Sequence, residues 1–389
     1  MSTPAPLIAN WARSAVVPRG GAFNALHAHD IAKPVVQDLL QRAGLDATHV
    51  KALVVGNALG AGGNPARMLA LHAGLPQSCA AFTIDTQCCS GLDAVTVGIG
   101  LITSGQADVV IAGGMEAWSR SPIRMHRALH PDQKTIAYER PAFAPSPEQD
   151  PDMLLSAARY AAQHGYTRAQ QEAYALHSHQ KAVVHQPILA AEMVTVAGVS
   201  EDAYPRQIDP AHARRMPVKA RSDELAIQAA DAFALSSLTI SAQADGAAFV
   251  LLITPAAAMR LGVDAQAAFV ATASVGSAPE FPLLAAELAA REALKRANMV
   301  NANGMQFIEL HDAFAVQGLS FLKGLSIEPE RLNALGGGIA RGHPIGASAT
   351  IALVRVLADL KREGVSGSRG LAAIAGAGGL GAAAVVAKL

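Results

Sequence analysis

Phe82-Thr83-Ile84-Asp85-Thr86-Gln87-Cys88-Cys89-Ser90-Gly91 reads as a short strand (Phe82 to Asp85), a turn and the start of a helix. Beyond it, Leu92, Val95, Ile99 and Ile102 recur at spacings of three and four, which predicts a helix with one apolar face that Gly105 closes. Asp108 to Ala112 follows as a continuous apolar strand ending at Gly113-Gly114. A strand without polar alternation is covered on both faces. Strands of this kind spaced by helices predict a mostly parallel sheet in an α/β protein. At the centre of the unit stand two thiols. A thiol at a helix start feels the unpaired N–H groups of the first turn and the positive end of the dipole. Such placement can lower a Cys pKa from about 8.5 to roughly 3.5–7.5, which makes the thiolate a usable nucleophile near neutrality. Adjacent Cys residues can equally be small buried hydrophobes, and this stretch alone leaves both readings open.

The same alternation extends outward. Lys33 to Gly44 reads as a helix, Ala52 to Val55 as a strand, Gly60 to Asn64 as a break and Pro65 to Gly74 as a helix. From about Ser121 to Asp245, Pro, His, Arg and Gln become frequent and strand runs thin out, which predicts a mostly helical insert, for example over Arg168 to His185. The α/β pattern resumes with strands at Gly246 to Ile253, Ala268 to Ala273, Phe307 to Leu310 and Gly370 to Ile374. Helices are predicted at Pro282 to Ala297, Val316 to Gly324 and Ala347 to Arg362. Each half has a Gly-rich turn, a long helix and an apolar strand with glycines behind it. That repeat of layout suggests duplication. The expected division is an N-terminal half over 1–120, an insert over 121–245, closure of the first half at about 246–262, and a C-terminal half over 263–389.

Of the 389 residues, 51% are apolar and 16% charged, ample for a large core. The 31 basic and 31 acidic side chains cancel, so no basic stripe recommends nucleic acid and no polybasic helix a membrane surface. Met1 to Asn10 lacks the charged and apolar regions of a secretory leader. Leu371 to Leu389 is apolar but too rich in Gly and Ala for a spanning helix, and reads as buried sheet and turn. Three Cys, two of them adjacent, make a disulfide framework improbable and point to a reducing cytoplasm.

Two further motifs carry chemistry. Gly342-His343-Pro344-Ile345-Gly346, after Asn333-Ala334-Leu335-Gly336-Gly337-Gly338, holds a His on a constrained turn just before a long helix. A neutral imidazole there can take a thiol proton, though a helix-capping role fits as well. Ala375-Gly376-Ala377-Gly378-Gly379-Leu380-Gly381 is almost free of side chains. Its N–H groups could meet an oxyanion, or it could serve only close packing.

Taken in order, these blocks resemble the thiolases, that is, acetyl-CoA acyltransferases. The resemblance spans essentially the whole chain. It rests on Cys88-Cys89-Ser90-Gly91, Ala244-Asp245-Gly246-Ala247-Ala248, Glu309-Leu310-His311-Asp312-Ala313-Phe314-Ala315, Gly342 to Gly346 and the terminal glycine loop. It implies a layered αβαβα core of two similar halves with an inserted loop domain that binds CoA. It implies that Cys88 accepts the acyl group, that His343 activates it, and that the backbone N–H groups of Cys88 and Ala377 form the oxyanion site. Ser241 falls near the family's CoA-contacting Ser, and Met153 near a Met of the acyl pocket. No metal or organic cofactor beyond the CoA thioester is implied, the partners are CoA and acyl-CoA, and a homodimer or homotetramer is expected.

Two positions depart from the family pattern. His311 stands where most thiolases have Asn, although sterol-carrier-type relatives carry His. Ala375 stands where the second catalytic Cys, the acid/base for the α-proton, is expected, and Ala313 stands where sterol-carrier-type relatives move that Cys. Several activities follow as expectations. The first is thiolysis or Claisen condensation of 3-ketoacyl-CoA. The others are a decarboxylating condensation on Cys88, His311 and His343, acyl transfer or hydrolysis without carbon–carbon chemistry, and a non-catalytic acyl-CoA-binding subunit.

Overall fold

The computed structural model describes residues 6–389. Met1–Ala5, half of the stretch read for a leader, lie outside it. The first half contains β1 (Leu7–Ser14), α1 (Ala28–Ala43), β2 (Ala52–Gly56), α2 (Pro65–His72), β3 (Ala80–Ile84), α3 (Ser90–Thr103) and β4 (Val109–Ala117). The inserted region carries two long helices, α4 (Met153–His164) and α5 (Arg168–Val184), with short helical turns and two small ribbons. There follow β5 (Ala244–Ile253), β6 (Ala267–Gly276), α6 (Ala285–Arg296), β7 (Met305–His311), α7 (Ala315–Leu325), α8 (Ile345–Glu363), β8 (Arg369–Gly376) and β9 (Leu380–Lys388).

The strands form one continuous sheet path in the order β7-β8-β9-β6-β1-β5-β4-β2-β3. Read outward from the centre, each half places its first strand, then its last, its penultimate and its second; the first half adds β3 at the edge. Directions repeat too. The first–last and last–penultimate pairs are antiparallel, and the penultimate–second pair is parallel in both halves. The duplication suggested by layout is therefore a duplication of topology. The mostly parallel sheet expected from the apolar runs is instead mixed. Such runs report burial on two faces, and burial does not depend on strand direction.

Helices α3 and α8, each of which precedes the penultimate strand of its half, pack on one another between the two halves of the sheet. Helix α1 covers β1 and β5 from outside, and α6 covers β6, β8 and β9. This is the five-layer αβαβα arrangement. Its central core joins Leu92, Val95 and Ile102 of α3 to Leu353, Val354 and Leu357 of α8. Nearly the whole circumference of α8 is buried, as a middle-layer helix requires. Its Arg355 meets Glu192 of the insert and Asp359, and Glu192 also accepts from Arg13 of β1. A buried ion network thus pins the insert to both halves.

Two features differ from the sequence reading. β1 had no alternation to reveal it, being the shared central strand. β4 runs on through Gly113-Gly114 to Ala117, because those glycines serve close approach and not a turn. The terminal apolar stretch is the hairpin β8–β9, as expected of buried sheet and turn. Among the described residues no helix is long and apolar enough to cross a membrane.

Candidate active site

Cys88 lies on the turn entering α3 and His343 on the turn entering α8, equivalent places in the two halves. Packing of these two helices decides how far apart they are. A Cβ on Gly91 would stand 2.4 Å from Thr350 Oγ1 and 2.7 Å from the Gly346 carbonyl oxygen. A Cβ on Gly346 would stand 2.6 Å from the Gly56 oxygen. Only glycines permit that approach. The result is a contact of 3.1 Å between His343 Nε2 and Cys88 Sγ.

The turn before Cys88 is tightly held. Gln87 has φ 54°, a left-handed conformation uncommon outside glycine. Asp85 Oδ1 accepts from its backbone N at 3.0 Å, and its carbonyl accepts from Ser90 Oγ at 2.5 Å. Ser90 Oγ also accepts from Thr86 N at 2.9 Å. Strain in such a turn fixes the direction of the next side chain.

Neighbouring groups define the state of His343. Ser348 Oγ donates to the Pro344 carbonyl at 2.9 Å, and its single proton is thereby used. At 2.7 Å from His343 Nδ1, it must accept the Nδ1–H. Nε2 is left with its lone pair directed at the thiol. The His343 carbonyl accepts from Trp118 Nε1 at 3.1 Å, which anchors the turn. Burial lowers the His343 pKa to about 4, so the ring is neutral.

The sulfur does not behave as the helix-start argument expected. Burial pushes the Cys88 thiol up to about 12, although the amide N–H groups of Ala377 and Cys88 point at the sulfur and favour the anion. Desolvation outweighs the dipole, because the thiol is buried between the two halves and not merely placed at a helix end. The resting pair is therefore neutral thiol and neutral imidazole. Cys89 lies next to it, buried, with its own pKa raised by burial.

A cavity of about 320 Å³ opens on this pair, and its wall includes Met153, Ser241, Ala313, Ala375 and Ala377. Ser241 Oγ donates to the Gly338 carbonyl at 2.7 Å, and its N–H to the Ala313 carbonyl at 2.9 Å. Met153 and Ser241 of the insert thus reach the same chamber as Cys88. His311 is placed differently. It is buried and stacks on the His343 ring, with centroids 4.3 Å apart and planes 29° from parallel, and its Nε2 has no hydrogen-bond partner. The hydrogen-bonding side chain at Cys88 is that of His343; His311 backs it. Ala375 and Ala313 both face the chamber and offer no ionisable group there.

Ser348, Trp118 and Glu116 were not singled out from sequence. Glu116, buried, accepts from the amides of Ala58 at 3.0 Å, Leu59 at 3.3 Å and Gly346 at 3.0 Å, and ties the loop after β2 to the first turn of α8. Burial raises its pKa to about 7. A carboxylate inside an apolar strand was a visible signal. Ser348, five positions after His343 on a helix, could have been suspected as its second-nitrogen partner.

Two family models match, the thiolase N-terminal domain over residues 7–256 and the thiolase C-terminal domain over 263–388. An acetyl-CoA acetyltransferase of Rhizobium meliloti (strain 1021) is 34% identical, with all of both chains covered. A putative acetyl-CoA C-acetyltransferase of Bacillus subtilis (strain 168) is 34% identical over 91% of each. The crystal structure of Acat5 thiolase from Ascaris suum in complex with coenzyme A superposes with a TM-score of 0.89 at 26% identity, covering 99% of this chain and 100% of that one. The Bacillus anthracis acetyl-CoA acetyltransferase structure gives the same score and identity, covering 100% and 99%.

Proposed function

The chain belongs to the thiolase family, and on that premise we propose how it acts as an acyl-CoA acyltransferase of thiolase type. Cys88 takes the acyl group from a CoA thioester and passes it to CoA or to a second acyl-CoA. The observation that carries this is the 3.1 Å contact from a lone-pair nitrogen to the thiol, beside two amides aimed at the sulfur. As Sγ attacks the thioester carbonyl, His343 Nε2 takes the thiol proton. The oxygen acquires negative charge and is assigned to the N–H groups of Cys88 and Ala377, which stand beside the sulfur. The tetrahedral intermediate collapses, the C–S bond to CoA breaks, and His343 returns the proton to the departing thiolate. Because thiol and imidazole are both neutral at rest, the nucleophile exists only as the proton moves.

Ser241 and Met153, on the chamber wall, are assigned to contacts with the CoA arm and the acyl group. His311 is assigned to holding a substrate oxygen or a water through its unpartnered Nε2. The chemistry asks for no metal and no cofactor beyond the thioester. A reducing cytoplasm suits three free thiols of which one must stay reduced. We assign a homodimer or homotetramer. The edge strand β3 exposes Phe82, and Met68 and Leu71 of α2 and Val97 of α3 are exposed on helices packed against it.

Intact-mass analysis with a panel of acyl-CoAs tests the assignment. Cys88→Ala should abolish a thioester adduct that Cys89→Ala retains. An adduct that follows Cys89 would overturn it.

A further inference from the structure

The second half-reaction needs a base for the proton α to a thioester carbonyl, and the chamber is sparing with bases. Ala375 and Ala313 offer none. Arg140 on the wall is bound to Asp150. Asp152 is engaged with the amides of Leu154 and Leu155 at the start of α4. Glu139 is exposed to solvent on the loop preceding Arg140. There remain Cys88, which carries the acyl group at that stage, His343, and His311, which stacks behind the His343 ring while His343 Nε2 is the nitrogen at Cys88 Sγ.

Acylation frees what the second step requires. Once CoA has left with its proton, Nε2 has lost its thiol partner and keeps its lone pair, because Ser348 still holds Nδ1–H. That lone pair lies beside the sulfur bearing the acyl group. A carbon that attacks the acyl carbon must come within about 3–3.5 Å of it, and so into reach of the same nitrogen.

We propose that His343 is the only proton carrier of both half-reactions, taking the α-proton of the second acyl-CoA as well as the thiol proton of Cys88. The step balances without another group. The α-C–H bond breaks and its proton goes to Nε2. The electron pair of that bond forms the new C–C bond to the acyl carbon. The C–Sγ bond breaks, its pair stays on sulfur, and Nε2–H gives the proton to Sγ. Cys88 thiol and neutral His343 are restored, and 3-ketoacyl-CoA is the product. Proton removal is reversible and can precede bond making, the electron pair being held meanwhile as the enolate of the thioester. The proposal rests on the acyl-enzyme reading above and adds to it one base with two tasks.

The test is α-deuterium exchange. Acetyl-CoA is incubated with the protein in heavy water, and methyl deuteration is followed by mass spectrometry. Acylation of the wild type is measured in parallel, and CoA binding is first verified for every variant. Exchange should persist in Cys88→Ala, which cannot be acylated, and fall by about 10²–10⁴-fold in Cys88→Ala/His343→Gln. Ala375→Cys added to that double variant should restore exchange. If the double variant exchanges as fast as Cys88→Ala, another base acts and the proposal fails. If wild type acylates normally but neither it nor Cys88→Ala exchanges, the proposal fails while the acyl-enzyme reading stands. Absence of acylation would instead refute that earlier reading.

Discussion

Replacing Ser348 by Ala removes the acceptor that keeps the proton of His343 on Nδ1. In the folded protein Ser348 Oγ stands 2.7 Å from Nδ1, is 1% exposed and spends its own proton on Pro344. Without it the useful tautomer must bury an unpaired N–H, at a cost of about 1–3 kcal/mol. The alternative tautomer points Nε2–H at the sulfur and cannot accept the thiol proton. At about 1.4 kcal/mol per tenfold, Ser348→Ala should slow alkylation of Cys88 by iodoacetamide at neutral pH by roughly 5- to 150-fold. The pH dependence separates this from general damage. As pH rises toward the thiol's own pKa of about 12, solvent ionises Cys88 without help from His343, and variant and wild type should converge. The measurement is the second-order rate across the alkaline range, with the melting temperature as a check on folding. Wild-type rates in Ser348→Ala at pH 7, or a gap that stays constant toward high pH, would refute the tautomer argument.

Wild-type alkylation should be nearly flat from weakly acidic to weakly alkaline pH and fall on the acid side as His343 protonates near 4; an inflection near neutrality would mean a preformed ion pair. Stability should follow the same group. Its folded pKa lies below the unfolded value of about 6.5, so its contribution is complete above that value and is lost as pH falls toward 4, which acid titration of the unfolding free energy can check. Gly91→Ala should cost about 1–3 kcal/mol in denaturant unfolding and slow Cys88 alkylation, since the added methyl meets Thr350 and the Gly346 backbone. Thiolysis of acetoacetyl-CoA should be weak in wild type and rise about tenfold in Ala375→Cys, a barrier change of about 1.4 kcal/mol, with the acylation rate as internal reference; ordinary enzyme rates in wild type and no gain in the variant would remove meaning from the alanine.

What the linear chain determined is the local vocabulary. Apolar runs without alternation made buried strands, spacings of three and four made helix α3, and the order of the Cys88, Asp245, His311, His343 and terminal glycine blocks carried the family. These signals are local because they depend on propensity, periodicity and motif order. Tertiary structure alone decided the rest. Strand direction was not legible, since burial looks alike in parallel and antiparallel ladders. β1 escaped because a strand shared by two sheet halves has no polar face. The ionisation of Cys88 was misread for a related reason. The helix end acts on the sulfur through one turn of backbone, whereas desolvation depends on everything packed around it, and those atoms come from both halves and the insert. His343 and Cys88, 255 positions apart, become acid–base partners only because glycines at 91 and 346 let α3 and α8 touch.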